Sequence, residues 1–236
     1  MPEPIRLARR VVELLGCSRS EAEQYIEGGW VTVDGEIVET PQHPVTDERV
    51  DIDPATELRI AEPATLLLHK PAGVAWQDAA ALATPATRLP DDDSGVRALK
   101  RHLQRLTPLV PLDTEASGLM VLSQDGRVWR KLTEDYAQIE QEFVVEIRGD
   151  VHPYTLGRIG HASSYQGRGL APCKVSWQNE VRLRFAIKDL QPGELQHRCR
   201  EGGLDVVSIR RLRIGRISLS KLPLGQWRYL PAGERF

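Results

Sequence analysis

The stretch Leu109-Val-Pro-Leu-Asp-Thr-Glu-Ala-Ser-Gly-Leu-Met-Val-Leu-Ser-Gln-Asp-Gly-Arg127 decides how the rest of the chain is read. One carboxylate, Asp113, stands between an apolar approach (Leu109, Val110, Leu112) and a turn at Ser117-Gly118. The run Leu119 to Leu122 is continuously apolar and closes at the polar turn Ser123-Gln-Asp-Gly126. A short apolar run bounded by turn residues predicts a strand buried on both faces. Asp113 is thereby expected on a loop held by a core strand, a common place for catalytic groups. The plainer alternative is that Asp113 opens a turn and satisfies neighbouring backbone amides.

Working outward, 236 residues of ordinary apolar content predict a globular chain, either one large domain or a small one followed by a larger one. No apolar run approaches the length of a membrane span, and Met1-Pro-Glu-Pro-Ile-Arg6 has no signal-like core. The three cysteines, Cys17, Cys173 and Cys199, are scattered, and the six histidines show no ligand spacing. A reducing cytoplasm is expected, with no disulfide framework and no metal. The net charge of −2 is unusual for a nucleic-acid binder, but its distribution matters more than the sum. From Gln196 to the C-terminus nine basic residues, Arg198 and Arg211 among them, face three acidic ones, which predicts a local basic face.

Near the N-terminus, Leu7, Val11, Val12, Leu14 and Leu15 recur at helical spacing, with Gly16 as the stop. Ser18 and Glu21 form a capping box for a second helix that ends at Gly28-Gly29. Val31 to Val33 and Glu36 to Val38 flank Asp34-Gly35, the signature of a tight hairpin. Residues 1–50 are read as one module, 51–63 as a linker and 64–236 as a larger domain. Within that domain, 65–70 runs as a strand into Lys70-Pro71-Ala-Gly73, and 77–95 reads as an exposed connection with a short helix. Val96 to Leu106 is expected as an amphipathic helix, and Val128 to Tyr136 as another. Glu140 to Ile147 and Val181 to Ile187 alternate as strands. Gly167-Arg168-Gly169 has the composition of a phosphate cradle, a weak signal, and Trp227 is expected to plug the sheet.

The stretch around Asp113 resembles the catalytic motif of pseudouridine synthases, in the ribosomal RNA family that carries a small N-terminal RNA-binding module. That pattern reads roughly G-R-L-D-x-x-T-x-G-L-L-L-L-T-N-D-G. Leu112, Asp113, Gly118, Leu119, Leu122, Asp125 and Gly126 stand at matching places. Pro111 replaces its Arg and Ala116 its Thr. The first fifty residues are similar to the alpha-L RNA-binding motif through Arg6-Leu7, Cys17-Ser-Arg19, Glu21-Ala22, Ile26, Gly29, Val31, Val33 and Gly35. His69-Lys70-Pro-x-Gly73 resembles the family's N-K-P-x-G element. Gln141-Glu-Phe143 stands where the family has K-x-Y, and Gln196-His-Arg198 where it has Q-I-R.

The resemblance implies an α+β architecture: a small helix-and-strand RNA-binding module, then a mixed, mostly antiparallel sheet with flanking helices. It implies an isomerase that converts a uridine of ribosomal RNA, the large subunit favoured, to pseudouridine without a cofactor. Asp113 would be the catalytic carboxylate, as nucleophile or as base. Phe143 would lie against the base, and Lys70 beside the cleft. Arg198 would face Asp113, with Gln196 as the alternative because the tail register is two residues short. Arg9, Arg10 and Arg19 would meet RNA phosphates. For each the bland reading is a core aromatic or a solvated charge. The implied partner is ribosomal RNA or a pre-ribosomal particle, met by a monomer with no membrane involved. The changes at Pro111, Ala116, Gln141 and Phe143 keep two alternatives open: an assembly factor that binds RNA without turnover, and a tRNA-directed synthase.

Overall fold

A computed structural model describes residues 3–53 and 63–236. Most of the 51–63 stretch read as a linker therefore lies outside the described residues. The chain divides into two compact units, Met1–Pro63 with Arg97–Gln104, and Ala64–Val96 with Arg105–Phe236.

In the first unit the apolar stripes build α1 (Leu7–Leu15) and α2 (Arg19–Glu27). Leu7, Ala8 and Val11 of α1 and Ala22 and Ile26 of α2 meet Val31, Val33 and Val45 in one core. Leu14 and Leu15, read as part of the stripe, are instead exposed at the helix end. Gly16 stops α1 in the left-handed conformation at φ 64°. Ser18 Oγ accepts from Glu21 N at 3.2 Å, while Glu21 Oε2 accepts from Ser18 N at 2.7 Å, so both halves of the capping box form. The strands β1 (Val31–Val33), β2 (Glu36–Ile37) and β3 (Val50–Ile52) form an antiparallel sheet in the order β2-β1-β3. Asp34 and Gly35, both at positive φ, make the hairpin turn.

Arg97–Gln104 was expected within the larger domain as part of a helix, and both expectations are corrected. Only a 3-10 turn, Lys100–Leu103, forms, and the segment packs with the first unit. The reason is competition for backbone groups. Glu39 accepts from the amides of Lys100 (2.7 Å) and Arg101 (3.2 Å), which fixes that turn. Arg97 donates to Gly29 O (2.6 Å) and pairs with Asp53 (3.2 Å), its guanidinium 4.1 Å from the Trp30 ring centre. Those contacts hold the chain extended as it approaches the turn.

In the second unit nine strands form one sheet among the described residues. They are β4 (Thr65–Lys70), β5 (Thr107–Leu109), β6 (Ser117–Ser123), β7 (Gln141–Arg148), β8 (Lys174–Asn179), β9 (Arg182–Ile187), β10 (Asp205–Ile214), β11 (Ile217–Ser218) and β12 (Trp227–Tyr229). The order is β8-β9-β7-β10-β6-β4-β12, with β11 on β10 and β5 on β6. All described pairings in it are antiparallel except β6 with β10, where Gly118 faces Arg211. The mixed, mostly antiparallel sheet is thus as expected. β6, the strand the apolar run predicted, is central and buried from Gly118 to Ser123. The helices α3 (Gly126–Glu134), α4 (Thr155–Gly160) and α5 (Glu194–Glu201) flank it.

The stretch 77–95 is less exposed than its sequence suggested. Ala79 is fully buried, Trp227 Nε1 donates to Thr84 O at 2.7 Å, and Leu89 N donates to Trp227 O at 2.7 Å. Trp227 is 1% exposed and packs edge-on to Tyr229, so it does plug the sheet. The connection lacks periodicity because it is pinned by single contacts to β12 rather than by a repeating apolar face.

Candidate active site

Asp113 lies between β5 and β6, on a loop fixed from three sides. Its own carbonyl accepts from Ala116 N at 3.0 Å, which closes the turn the bland reading expected. Its carboxylate does something else. Gly193 N lies 3.2 and 3.1 Å from the two carboxylate oxygens, and Gln196 Nε2 lies 3.4 Å from Oδ2. Those donors come from the start of α5, about eighty positions along the chain, so the side chain is presented across a cleft rather than folded onto its own loop. Gly193 takes the left-handed conformation at φ 77°, which turns its amide toward the carboxylate.

Gln196 and Arg198 part company on α5. Residues two apart on a helix are separated by roughly 200° around its axis. Gln196 faces Asp113, whereas Arg198 is buried on the opposite side. There Arg198 pairs with Glu194 at 2.8 Å and donates to Ile159 O (3.3 Å) and Ala171 O (2.7 Å). Arg198 therefore does not face Asp113, and that expectation is corrected. A neutral amide stands at that position, and among the described residues Asp113 has no ion-pair partner.

Lys70 stands beside the Asp113 loop and faces inward. It is fully buried, and its ammonium donates to Pro71 O (3.0 Å), Val74 O (2.7 Å) and Thr114 O (3.2 Å). Burial first, and the charge of Arg211 second, hold its pKa below the ordinary lysine value. Lys70 thus braces the Asp113 loop from behind, aided by Gly73 N donating to Thr114 O at 2.8 Å. His69, next to it, is buried with Nδ1 2.8 Å from Leu222 O.

Phe143, on β7, is fully buried and opposite Phe185, yet it also lines the cavity at Asp113. That cavity measures about 20 Å³ and is walled by Pro111, Leu112, Ala116, Leu190, Gln191, Pro192, Leu195 and Ile209. The space is water-sized. Arg9, Arg10 and Arg19 project from the first unit, and each is paired on its own helix, with Glu13 (3.1 and 3.9 Å) or Glu23 (3.0 Å). Exposed pairs of this kind contribute little and break readily for a phosphate. No group of three His, Cys, Asp or Glu side chains converges as a metal site needs, among the described residues. Among them, too, no helix is long and apolar enough to cross a membrane.

Arg211 was read only as part of a basic tail, and the structure gives it another place. Its side chain is fully buried and donates to Val110 O, Pro111 O, Leu119 O and Gln141 Oε1. Burial pushes its pKa down to about 10, against the pull of Tyr136 and Asp113, so it stays protonated near neutrality. The expected basic face shrinks accordingly, since Arg198 and Arg211 are internal and Arg213 is paired with Glu140 and Glu142. The available signal was parity: Arg211 lies two residues after the apolar Ile209 on a strand.

Asp113 is thus a carboxylate held on a loop beside a buried aromatic, in a unit built on a mixed sheet. Residues 5–51 match the S4 domain. The chain is 26% identical over 232 residues to the dual-specificity RNA pseudouridine synthase RluF of Shigella flexneri, covering 98% of this chain and 77% of that protein. It is 23% identical over 233 residues to ribosomal small subunit pseudouridine synthase A of Vibrio cholerae, covering 98% and 97%. A crystal structure of a pseudouridylate synthase superposes with a TM-score of 0.60, at 19% identity and 96% coverage of both chains, which shows the fold. The chain is a homologue, over nearly its whole length, of RNA pseudouridine synthases, an isomerase family, and carries an S4 domain at its N-terminus.

Proposed function

We propose that this protein converts a uridine of ribosomal RNA to pseudouridine, large-subunit RNA before small, with Asp113 as the catalytic carboxylate. The observation that carries the reading is the presentation of Asp113 across the cleft, held by Gly193 N and Gln196 beside Phe143. The reaction breaks the C1′–N1 bond, turns the uracil and forms a C1′–C5 bond; N1 gains a proton and C5 loses one. The balance closes within the substrate. A carboxylate at the ribose serves either as nucleophile at C1′ or as the base that removes a ribose proton. Phe143 and the apolar wall retain the freed base, and the neutral Gln196 orients the carboxylate. Arg9, Arg10 and Arg19 of the S4 domain position the RNA through its phosphates. The uridine must leave its stack, and the wall from Leu190 to Pro192 must yield to admit it, because the cavity is water-sized. The proposed setting is the cytoplasm, with a monomer acting on ribosomal RNA or a pre-ribosomal particle.

The test is mass spectrometry of chemically tagged ribosomal RNA from a deletion strain. Loss of one tag, restored by the wild-type gene and not by Asp113→Asn, is the expected result. Restoration by Asp113→Asn would refute the reading. That no described cation pairs with Asp113, together with the Pro111 and Ala116 replacements, favours a second reading, an RNA-binding assembly factor without turnover. An unchanged tag pattern accompanied by altered ribosomal particles would select it. The same tagging applied to tRNA tests the remaining substrate.

A further inference from the structure

Arg211 has no part in the chemistry proposed above, and its surroundings ask for one. The guanidinium is wholly buried, and no carboxylate lies within ion-pair distance among the described residues. Nε donates to Leu119 O at 2.7 Å, Nη1 to Pro111 O at 2.9 Å and Gln141 Oε1 at 3.1 Å, and Nη2 to Val110 O at 2.9 Å. Nη2 also lies 3.5 Å from Met120 Sδ. An apolar side chain of similar volume usually serves stability as well as a buried charge does, so stability alone accounts poorly for this residue. What the fork holds is more informative. Val110 and Pro111 are the last two residues before Leu112-Asp113, and Val110 sits at φ 58°, a conformation that disfavours a β-branched residue. A planar fork that fixes two successive carbonyls sets the direction in which the chain delivers Asp113.

Gln141 is buried two residues before Phe143 on β7, where its Oε1 accepts from Arg211 and its Nε2 has no hydrogen-bond partner among the described residues. The opposite wall has a polar tie of its own. Tyr136 donates to Leu190 O at 2.7 Å, and the segment that follows carries Gly193, whose amide meets Asp113. We propose that Arg211 is the positioning residue of the Asp113 site, setting the direction of the carboxylate-bearing loop against a Leu190–Gly193 wall that Tyr136 ties in place. The proposal rests on Asp113 being catalytic, and it assigns to β10 the ordering of the Val110–Pro111 approach to it.

Two variants test it: Arg211→Lys, which keeps the charge but not the fork, and Tyr136→Phe, which removes one hydroxyl. Each is compared with wild type in single-turnover conversion of ribosomal RNA purified from the deletion strain, in affinity for that RNA, and in hydrogen exchange of residues 109–118 and 188–195. Arg211→Lys is expected to slow single turnover about 100-fold, with RNA affinity within about threefold and faster exchange in 109–118. Tyr136→Phe is expected to slow it about tenfold, with faster exchange in 188–195 alone. A purely structural role would lower the melting temperature and leave the single-turnover rate of folded protein unchanged, and that result overturns the proposal. Should Arg211→Lys not fold, Tyr136→Phe decides by the same criteria. If wild type shows no turnover, the catalytic reading fails, and hydrogen exchange alone decides: unchanged protection of both segments in the variants overturns the positioning role.

Discussion

Substituting Gly118 by alanine probes the contact on which the site is built. Gly118, the second residue of β6, sits at φ 122° and faces Arg211 across the parallel pairing. A Cβ there would overlap the carbonyl oxygen and amide nitrogen of Arg211 and stand 2.9 Å from its carbonyl carbon. All three are backbone atoms, so no side chain can swing aside. Holding alanine at that φ costs on the order of 1–3 kcal/mol. Spreading two packed strands to relieve the overlap costs roughly another 1–3 kcal/mol. The sum, about 2–6 kcal/mol, corresponds to a fall of roughly 5–20 °C in melting temperature for a unit of this size. The control is Gly157→Ala on α4, where nothing lies within 4 Å and a helical alanine is favoured by about 0.5–1 kcal/mol. Scanning calorimetry is the assay, since a chain of two units need not melt in one step. The transition of the larger unit should drop in Gly118→Ala and rise slightly in Gly157→Ala. A Gly118→Ala protein melting within about 2 °C of wild type would refute the close approach of β6 to β10.

Three further outcomes follow from the same contacts. His69 is buried with no partner for Nε2, and burial first, then the charge of Arg210, lowers its pKa against the bond to Leu222. The unfolded chain takes up the proton first, so stability is full above about pH 6.5 and is lost as pH falls through the folded value. His69→Asn should flatten that loss between about pH 7 and 5, and equal slopes in the two proteins would contradict it. Glu194→Gln leaves Arg198 buried without its counter-charge and should destabilise by about 3–5 kcal/mol in chemical denaturation. The double change Glu194→Leu with Arg198→Met should recover most of that, and no recovery would mean the ion pair is not the cause. Ser18→Ala removes the acceptor for Glu21 N and should cost the first unit about 1 kcal/mol, read as a lower transition for that unit alone.

What the sequence disclosed, it disclosed through local rules. Ser18 with Glu21, Asp34-Gly35 and the run from Leu119 to Leu122 each carry their structural reason within a few residues. The place of Asp113 was legible for the same reason, because a turn before a core strand is written in its neighbours. The partners of Asp113 were not. Gly193 and Gln196 reach it through the starting angle of α5, and an error of two residues on a helix exchanges one face for the other. Arg211 shares its face with Ile209, but bulges between Val206 and Ser208 and between Arg211 and Arg213 cut that alternation short, which leaves too brief a pattern to mark a buried face in a run of arginines. The failed helix at Val96 to Leu106 shows the converse. A helical pattern yields where Glu39 and Gly29 offer its backbone and side chains better partners.

That excursion has a practical sequel for anyone dividing the protein. A cut after Pro63 would leave the S4 portion without the strip that covers Gly29 and Trp30, and the remainder with Leu99 and His102 stripped of their lining. Neither half would then report faithfully on its role in the whole. A graft that carries 97–104 along, joined by a short bridge, is the smaller piece that keeps its own seams closed.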